Sequence, residues 1–292
     1  MAPRLGLGGG VTADPSNNLF NLLLDNYPAK AAFALRKLRR SYTGYAMKVR
    51  EGDTGSNYEA DVGFLPDGTI GDYSPIFNKT GGPGVNLVEF GNYGDLFLRT
   101  LYDQSGNGNN ATETTTSYQP TLMDGGSLVT SGGLPAVQFT NLNNLEIAGL
   151  SNTSYLDSWY VIDNSDWSYL YPSDKTSNSN FGPVVANSSG SGNARGNNYG
   201  TPEVYVNGVD ITSSLGDRDD VHDLLLGRKL VHHFSGDVSV FDDFQFGRYG
   251  NTSSSSQYNL TAKVQEMLFY DSDQSSNRTS IDANLNDHYS IY

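Results

Sequence analysis

The 292-residue chain has no cysteine, few basic residues and no long apolar run, and each of these absences closes off a class of protein. Without cysteine there is no disulfide framework, no thiolate nucleophile and no zinc–thiolate site. Eighteen Lys and Arg stand against 32 Asp and Glu, a formal charge of −14. Phosphate binding needs a basic footprint, so nucleic acid is not an expected partner. No apolar stretch approaches the ~20 residues of a membrane helix, so no membrane span is expected. The opening residues, Met1 to Gly10, lack the apolar core of a signal peptide, which argues against a secretory route.

What the chain has in abundance is turn chemistry. Its 33 Gly and 19 Tyr, with many Asn, Ser and Thr, suit short strands joined by polar turns. A helical protein would be richer in Ala, Leu, Glu and Lys. The number and shortness of the apolar runs predict an all-β fold, two stacked antiparallel sheets in a sandwich or jelly roll.

Along the chain, residues 1–28 have no periodicity and read as an arm, with Leu5, Leu7 and Phe20 as its apolar points. The spacing of Ala31, Leu35, Leu38 and Tyr42 predicts a short helix over 29–40. Its other face would carry Lys30, Arg36, Lys37, Arg39 and Arg40, a solvated face or a docking face for an acidic partner or a second copy. Tyr45 to Arg50 reads as a strand with Tyr45, Met47 and Val49 on one side. The apolar run Leu96 to Tyr102 then stops at Asp103 and enters Ser105-Gly-Asn-Gly-Asn-Asn110, a tight structured loop. This is not a phosphate cradle, since it lacks the Lys and following helix.

Residues 151–200 are the least regular, and hold Tyr155, Trp159, Trp167, Tyr169 and Tyr171. Glu203 to Val209 runs into an Asn-Gly hairpin turn. Leu224–Leu230, Phe241–Phe246 and Ala262–Tyr270 read as strands. Ile281, Leu285, Tyr289 and Tyr292 share one face of a C-terminal helix over about 276–289.

Three segments in order carry a resemblance. They are Ala32-Phe-Ala-Leu-Arg-Lys-Leu-Arg-Arg-Ser-Tyr-Thr-Gly44 with Met47-Lys-Val-Arg50, Tyr102-Asp-Gln-Ser-Gly-Asn-Gly-Asn-Asn-Ala-Thr112 followed by Gln119-Pro, and Val264 to Arg278 through Tyr292. Together they resemble tailed-phage virion structural and tail-fibre proteins with a concanavalin A-like, laminin-G-type jelly roll. The resemblance implies a virion location and a particle component, a tail fibre or tail appendage. It would dock by the arm 1–28 and by Leu5, Leu7, Phe20, Arg36, Arg39 and Arg40, while residues 29–292 form a lectin-like domain. Its expected partners are other virion proteins, further copies of itself and host-surface carbohydrate. A capsid-surface decoration protein is the alternative.

The central segment is also similar to fungal arabinofuranosidases, whose catalytic domain is a jelly roll, so a glycosidase is a third reading. That chemistry needs two carboxylates. The family's nucleophile is a Glu in a cysteine-rich stretch after the central segment. Here there is no Cys, and no Glu lies between Glu146 and Glu203; Asp157, Asp163 and Asp166 carry no mark of that role. The expectation is therefore no catalytic residue, no cofactor and no enzyme activity.

For glycan, the aromatic residues Tyr155, Trp159, Trp167, Tyr169 and Tyr171 are the candidates, since aromatic faces stack on sugars. The competing reading is that the tryptophans fill the core. Asp103, Asn107 and Asn109 are weak candidates for calcium, with a purely backbone-turn role as the alternative. Asp217 to Asp223 with His232 and His233 reads as a solvated acidic loop and matches no metal spacing.

Overall fold

The computed structural model describes residues 22–52, 55–92, 94–140, 142–150, 155–165, 173–174, 203–216, 218–235, 244–248 and 259–292. The first half runs α1 (Leu23–Asn26), β1 (Ala31–Ala34), β2 (Met47–Glu51), β3 (Glu59–Val62), β4 (Ile76–Phe77), α2 (Leu87–Phe90), β5 (Leu96–Leu101), β6 (Ala111–Thr112), β7 (Thr121–Asp124), β8 (Ser127–Leu128), β9 (Thr130–Ser131), β10 (Leu134–Pro135), β11 (Val137–Phe139) and β12 (Leu145–Ile147). The second runs β13 (Leu156–Asn164), β14 (Ser173–Asp174), β15 (Glu203–Val206), β16 (Val209–Asp210), α3 (Arg218–Leu225), β17 (Gly227–Ser235), β18 (Phe244–Phe246), β19 (Ala262–Tyr270) and α4 (Arg278–Tyr289). The fold is all-β, and every ladder between these strands is antiparallel.

One layer is the ladder β16–β15–β17–β13–β19–β1. The other is β4–β3–β2–β5, and the second edge of β5 pairs with β7 at its start and with β6, which leads on to β12, at its end. The N-terminal end of β19 also pairs with β11, and β11 with β7, so the sheet curls continuously from one layer into the other. Between the layers lies a core that includes Phe33, Met47, Val49, Leu98, Leu122, Tyr160, Val231, Met267 and Phe269.

The first layer is buried on its other face too. There Ala32, Ala34, Trp159, Val161, Leu230, Leu268 and Tyr270 meet Leu23 and Leu24 of α1 and Ile281, Leu285 and Tyr289 of α4. Period-two alternation puts Tyr160 and Ile162 inward and Trp159 and Val161 toward the helices. Residues 22–28, at the end of the sequence's arm, thus pack on this layer; residues 1–21 lie outside the described residues.

Two expectations are corrected here. No helix spans 29–40: Ala31–Ala34 is strand β1, in register with Phe269–Glu266 of β19. A strand covered on both faces is apolar throughout and loses its alternation, so periodicity cannot separate it from a buried helix. The acidic run expected as a loop, Asp217 to Asp223, is from Arg218 onward part of helix α3 (Arg218–Leu225), with Val221, His222 and Leu225 buried. By contrast β19 and α4 lie where the pattern places them, and Asn207 (φ 53°) and Gly208 (φ 76°) form the hairpin turn between β15 and β16.

Candidate functional site

The central loop is a clasp on the free edge of β1. Both Asp103 carboxylate oxygens are engaged, accepting from Ala32 N–H (2.9 Å), Ser105 N–H and Oγ–H, and Asn109 N–H. Gln104 accepts from Leu38 N–H with its side-chain oxygen and donates to the Ala34 and Arg36 carbonyls. Asn107 and Asn109 donate to the carbonyl of Lys30. One carboxylate and three side-chain amides stand in for the neighbouring strand that β1 lacks. Of the calcium candidates, Asp103 spends both oxygens on the backbone and Ser105, and Asn107 and Asn109 spend their amide nitrogens on backbone carbonyls; among the described residues no cluster of three His, Asp or Glu is placed to hold a metal.

The basic segment splits up. Arg36 is buried and grips Glu266 in a bidentate pair (2.7 and 3.2 Å), and it also reaches Asn284. Tyr289 donates to the same Glu266 oxygen at 2.9 Å. This corrects the placing of Arg36 on a docking face: its charge is consumed in joining β19 to α4. Arg39 donates to the Ser105 carbonyl, and Arg40 is exposed.

Trp159 likewise is not a surface residue; it is 0% exposed. It sits across from His232, which sits across from Tyr205. The rings stack at 3.8 Å and 5.6 Å, and the Arg278 guanidinium of α4 lies 4.1 Å over Tyr205. Trp159 Nε1 donates to Asp282 (2.8 Å), and His232 Nε2 lies 2.5 Å from Asp157. Burial pushes both the Asp157 and Asp282 carboxyls above the ordinary range, while the His232 and Trp159 hydrogen bonds pull the other way. Asp157, His232 and Asp282 have the side chains of a catalytic set, yet they are 0%, 2% and 5% exposed under α4. Asp282 ties α4 to the sheet through Trp159, while Asp157 joins His232 on the neighbouring strand and accepts from the Gln274 N–H in the segment before α4. Tyr155 is half-buried beside them, and Leu5, Leu7, Phe20, Trp167, Tyr169, Tyr171 and Asp166 lie outside the described residues.

The exposed aromatic surface is elsewhere, on the outer side of the second layer. β2 sends Met47 and Val49 inward and Lys48 outward. Tyr45 precedes the strand, and its ring packs on Phe77 (5.2 Å) and Tyr102 (6.4 Å) rather than joining Met47 in the core. Beside it Tyr42 packs edge-on to Phe64, and its hydroxyl donates to the Tyr45 carbonyl. The rings of Tyr42, Tyr45, Phe64 and Phe77 wall a cleft of about 300 Å³ with Lys37, Thr43 and Pro75.

Glycines at 44 and 63 let the walls close. A Cβ at Gly44 would stand 2.5 Å from the Tyr42 hydroxyl, and one at Gly63 would stand 2.9 Å from the Phe77 ring. Burial, and then the Asp103 charge, push the Tyr42 phenol up to about 12, so it stays a neutral donor. Next to the cleft, Asp61 accepts from Tyr102 (2.6 Å) and Asn78 (2.7 Å) and faces Lys48 at 3.4 Å. The only sequence trace of the cleft was the pair Tyr42 and Tyr45 just before β2. It was masked by the helix expected just before it and by reading Tyr45 in phase with Met47.

No family model matches the chain, and no curated protein sequence matches it. Three solved structures do. A GH54 α-L-arabinofuranosidase soaked with a cyclic sulfate inhibitor aligns at 13% identity and TM-score 0.46, and an arabinofuranosidase complexed with arabinofuranosyl-α-1,2-xylobiose at 13% and 0.42. A mutant GH54 enzyme soaked with 4-nitrophenyl α-L-arabinofuranoside aligns at 14% and 0.44. Each covers 93% of this chain, which spans 64% of theirs. The expectation of no enzyme activity is corrected by this finding, because the matching structures are glycosidases. The correction lifts the exclusion; at such identities and TM-scores it transfers no residue and no reaction.

Proposed function

We propose that this chain is a structural component of a tailed-phage particle, a tail fibre or tail appendage, whose jelly roll holds host-surface saccharide in the cleft walled by Tyr42, Tyr45, Phe64 and Phe77. The observation that carries the binding half is a set of partly exposed rings around an open volume of about 300 Å³. That is the lower end of the size of small-molecule sites, and aromatic faces with a few polar groups suit a sugar ring.

The particle half rests on the three segments that resemble those of virion proteins. β1, the central loop and β19 with α4 are those segments, and they touch one another at a single place in the fold. Docking on other virion proteins and assembly with further copies belong to this reading, with residues 1–21 and Arg39 and Arg40 as the attachment segment. Gold-labelled antibody on intact particles should decorate the tail. A glycan array should show binding by the parent protein that Tyr45→Ala and Phe77→Ala reduce. Label on no part of a particle would reject the first half, and an array without signal the second.

A further inference from the structure

Charge at the cleft says more about what fits it. The chain as a whole is strongly acidic, at −14. Yet among the described residues lining the cleft there is no carboxylate, and the one charged side chain is Lys37. Lys37 is held in place by its backbone, whose N–H donates to the Gly68 carbonyl at 2.7 Å. Its ammonium has no ion-pair or hydrogen-bond partner among the described residues, whereas Lys48 is matched to Asp61 and Lys30 to Asp271. Asp67, in the turn between the lining residues Pro66 and Gly68, is not itself part of the lining and accepts from the N–H and Oγ–H of Thr69. The Thr43 and Tyr45 hydroxyls are also without a hydrogen-bond partner among the described residues, and both line the cleft.

An uncompensated ammonium among apolar rings favours an anion over a neutral group, because a charge-assisted hydrogen bond is roughly twice as strong as a neutral one. The rings in turn favour a flat apolar face over a bare inorganic ion. We propose that the cleft takes a sugar ring bearing a carboxylate. Tyr45 and Phe77 form the stacking wall, Lys37 is the counter-ion, and the Thr43 and Tyr45 hydroxyls bond the ring oxygens. This rests on the saccharide reading above and specifies its ligand class.

The test is an array of oligosaccharides carrying uronic or sialic acid, each printed beside its own methyl ester, so that only the charge differs. The parent protein should bind an acid at least about tenfold better than its ester. Lys37→Met should lose that factor for the acid and leave the ester unchanged, with an unaltered melting temperature. Tyr45→Ala and Phe77→Ala should weaken both forms alike. Esters bound as tightly as acids, with Lys37→Met silent, would overturn the acidic ligand and leave saccharide binding standing. No binding of either form would remove the saccharide reading itself.

Discussion

At the scale of single residues, the titratable groups under α4 make the sharpest statements. Burial, and then the Arg36 charge, hold the His288 imidazole down at about 4, against an ordinary value of 6.5. Between those values the unfolded chain binds a proton that the fold refuses. The stability associated with neutral His288 is therefore complete above pH 6.5 and is lost as pH falls toward 4. His288→Gln removes that proton uptake. Melting temperatures should show the variant gaining on the parent at pH 5 relative to pH 7.5; an equal offset at both would exclude a titrating His288. Asp157 and Asp282 act in the opposite sense, since their raised values give stability that fades as pH rises through the folded pKa. Trp159→Phe keeps most of the buried ring but removes the donor to Asp282, leaving a buried carboxylate one hydrogen bond short. Urea unfolding should show a loss of about 1–3 kcal/mol, with saccharide binding unchanged. Lost binding at full stability would mean that Trp159 belongs to a ligand site after all.

At the scale of elements, the clasp on β1 explains why the central loop has its composition. Gln104 satisfies the Leu38 amide and the Ala34 and Arg36 carbonyls in one side chain, and it is 0% exposed. Gln104→Ala strips three buried backbone groups at once and should cost about 2–4 kcal/mol. Hydrogen exchange should speed most at Leu38. Unchanged exchange there would show that the edge is held by something else. How legible each element was follows from its burial. β19 and α4 are long, and their apolar positions announce themselves. The Asn207-Gly208 turn declares its type because both residues need positive φ. β1 was illegible because alanines fit a helix as well as a strand squeezed between two layers, and because Arg36 looks solvated until Glu266 is seen beside it. The cleft was illegible for a different reason: its rings come from three separate segments, and no local period joins Tyr42 to Phe77.

At the scale of the whole molecule, the chain is a curled sandwich with a helical third layer, and the two ends of the sequence are not equivalent to it. α4 places Ile281 and Leu285 at 0% exposure and Tyr289 at 3% on the outer face of the first layer, and ties in through Arg36–Glu266–Tyr289 and Trp159–Asp282. Removing residues 278–292 would uncover Trp159, Leu268 and Tyr270 and leave Glu266 with one partner fewer. Each large apolar side chain deleted from such a position costs about 2–5 kcal/mol, so losing three exceeds the stability of an ordinary domain of about 5–15 kcal/mol or nearly so. That truncation should be insoluble or should lack a cooperative thermal transition. A cut before Leu22 keeps Leu23 and Leu24 in the same cluster, so the protein shortened by residues 1–21 should still show a cooperative thermal transition. If the N-terminal segment attaches the domain to a particle, that stable, shortened protein should keep its affinity for saccharide and fail to join the particle. A shortened protein that still assembles would move the attachment surface onto the jelly roll itself, where Arg39 and Arg40, beside the clasp that holds β1, become the next residues to change.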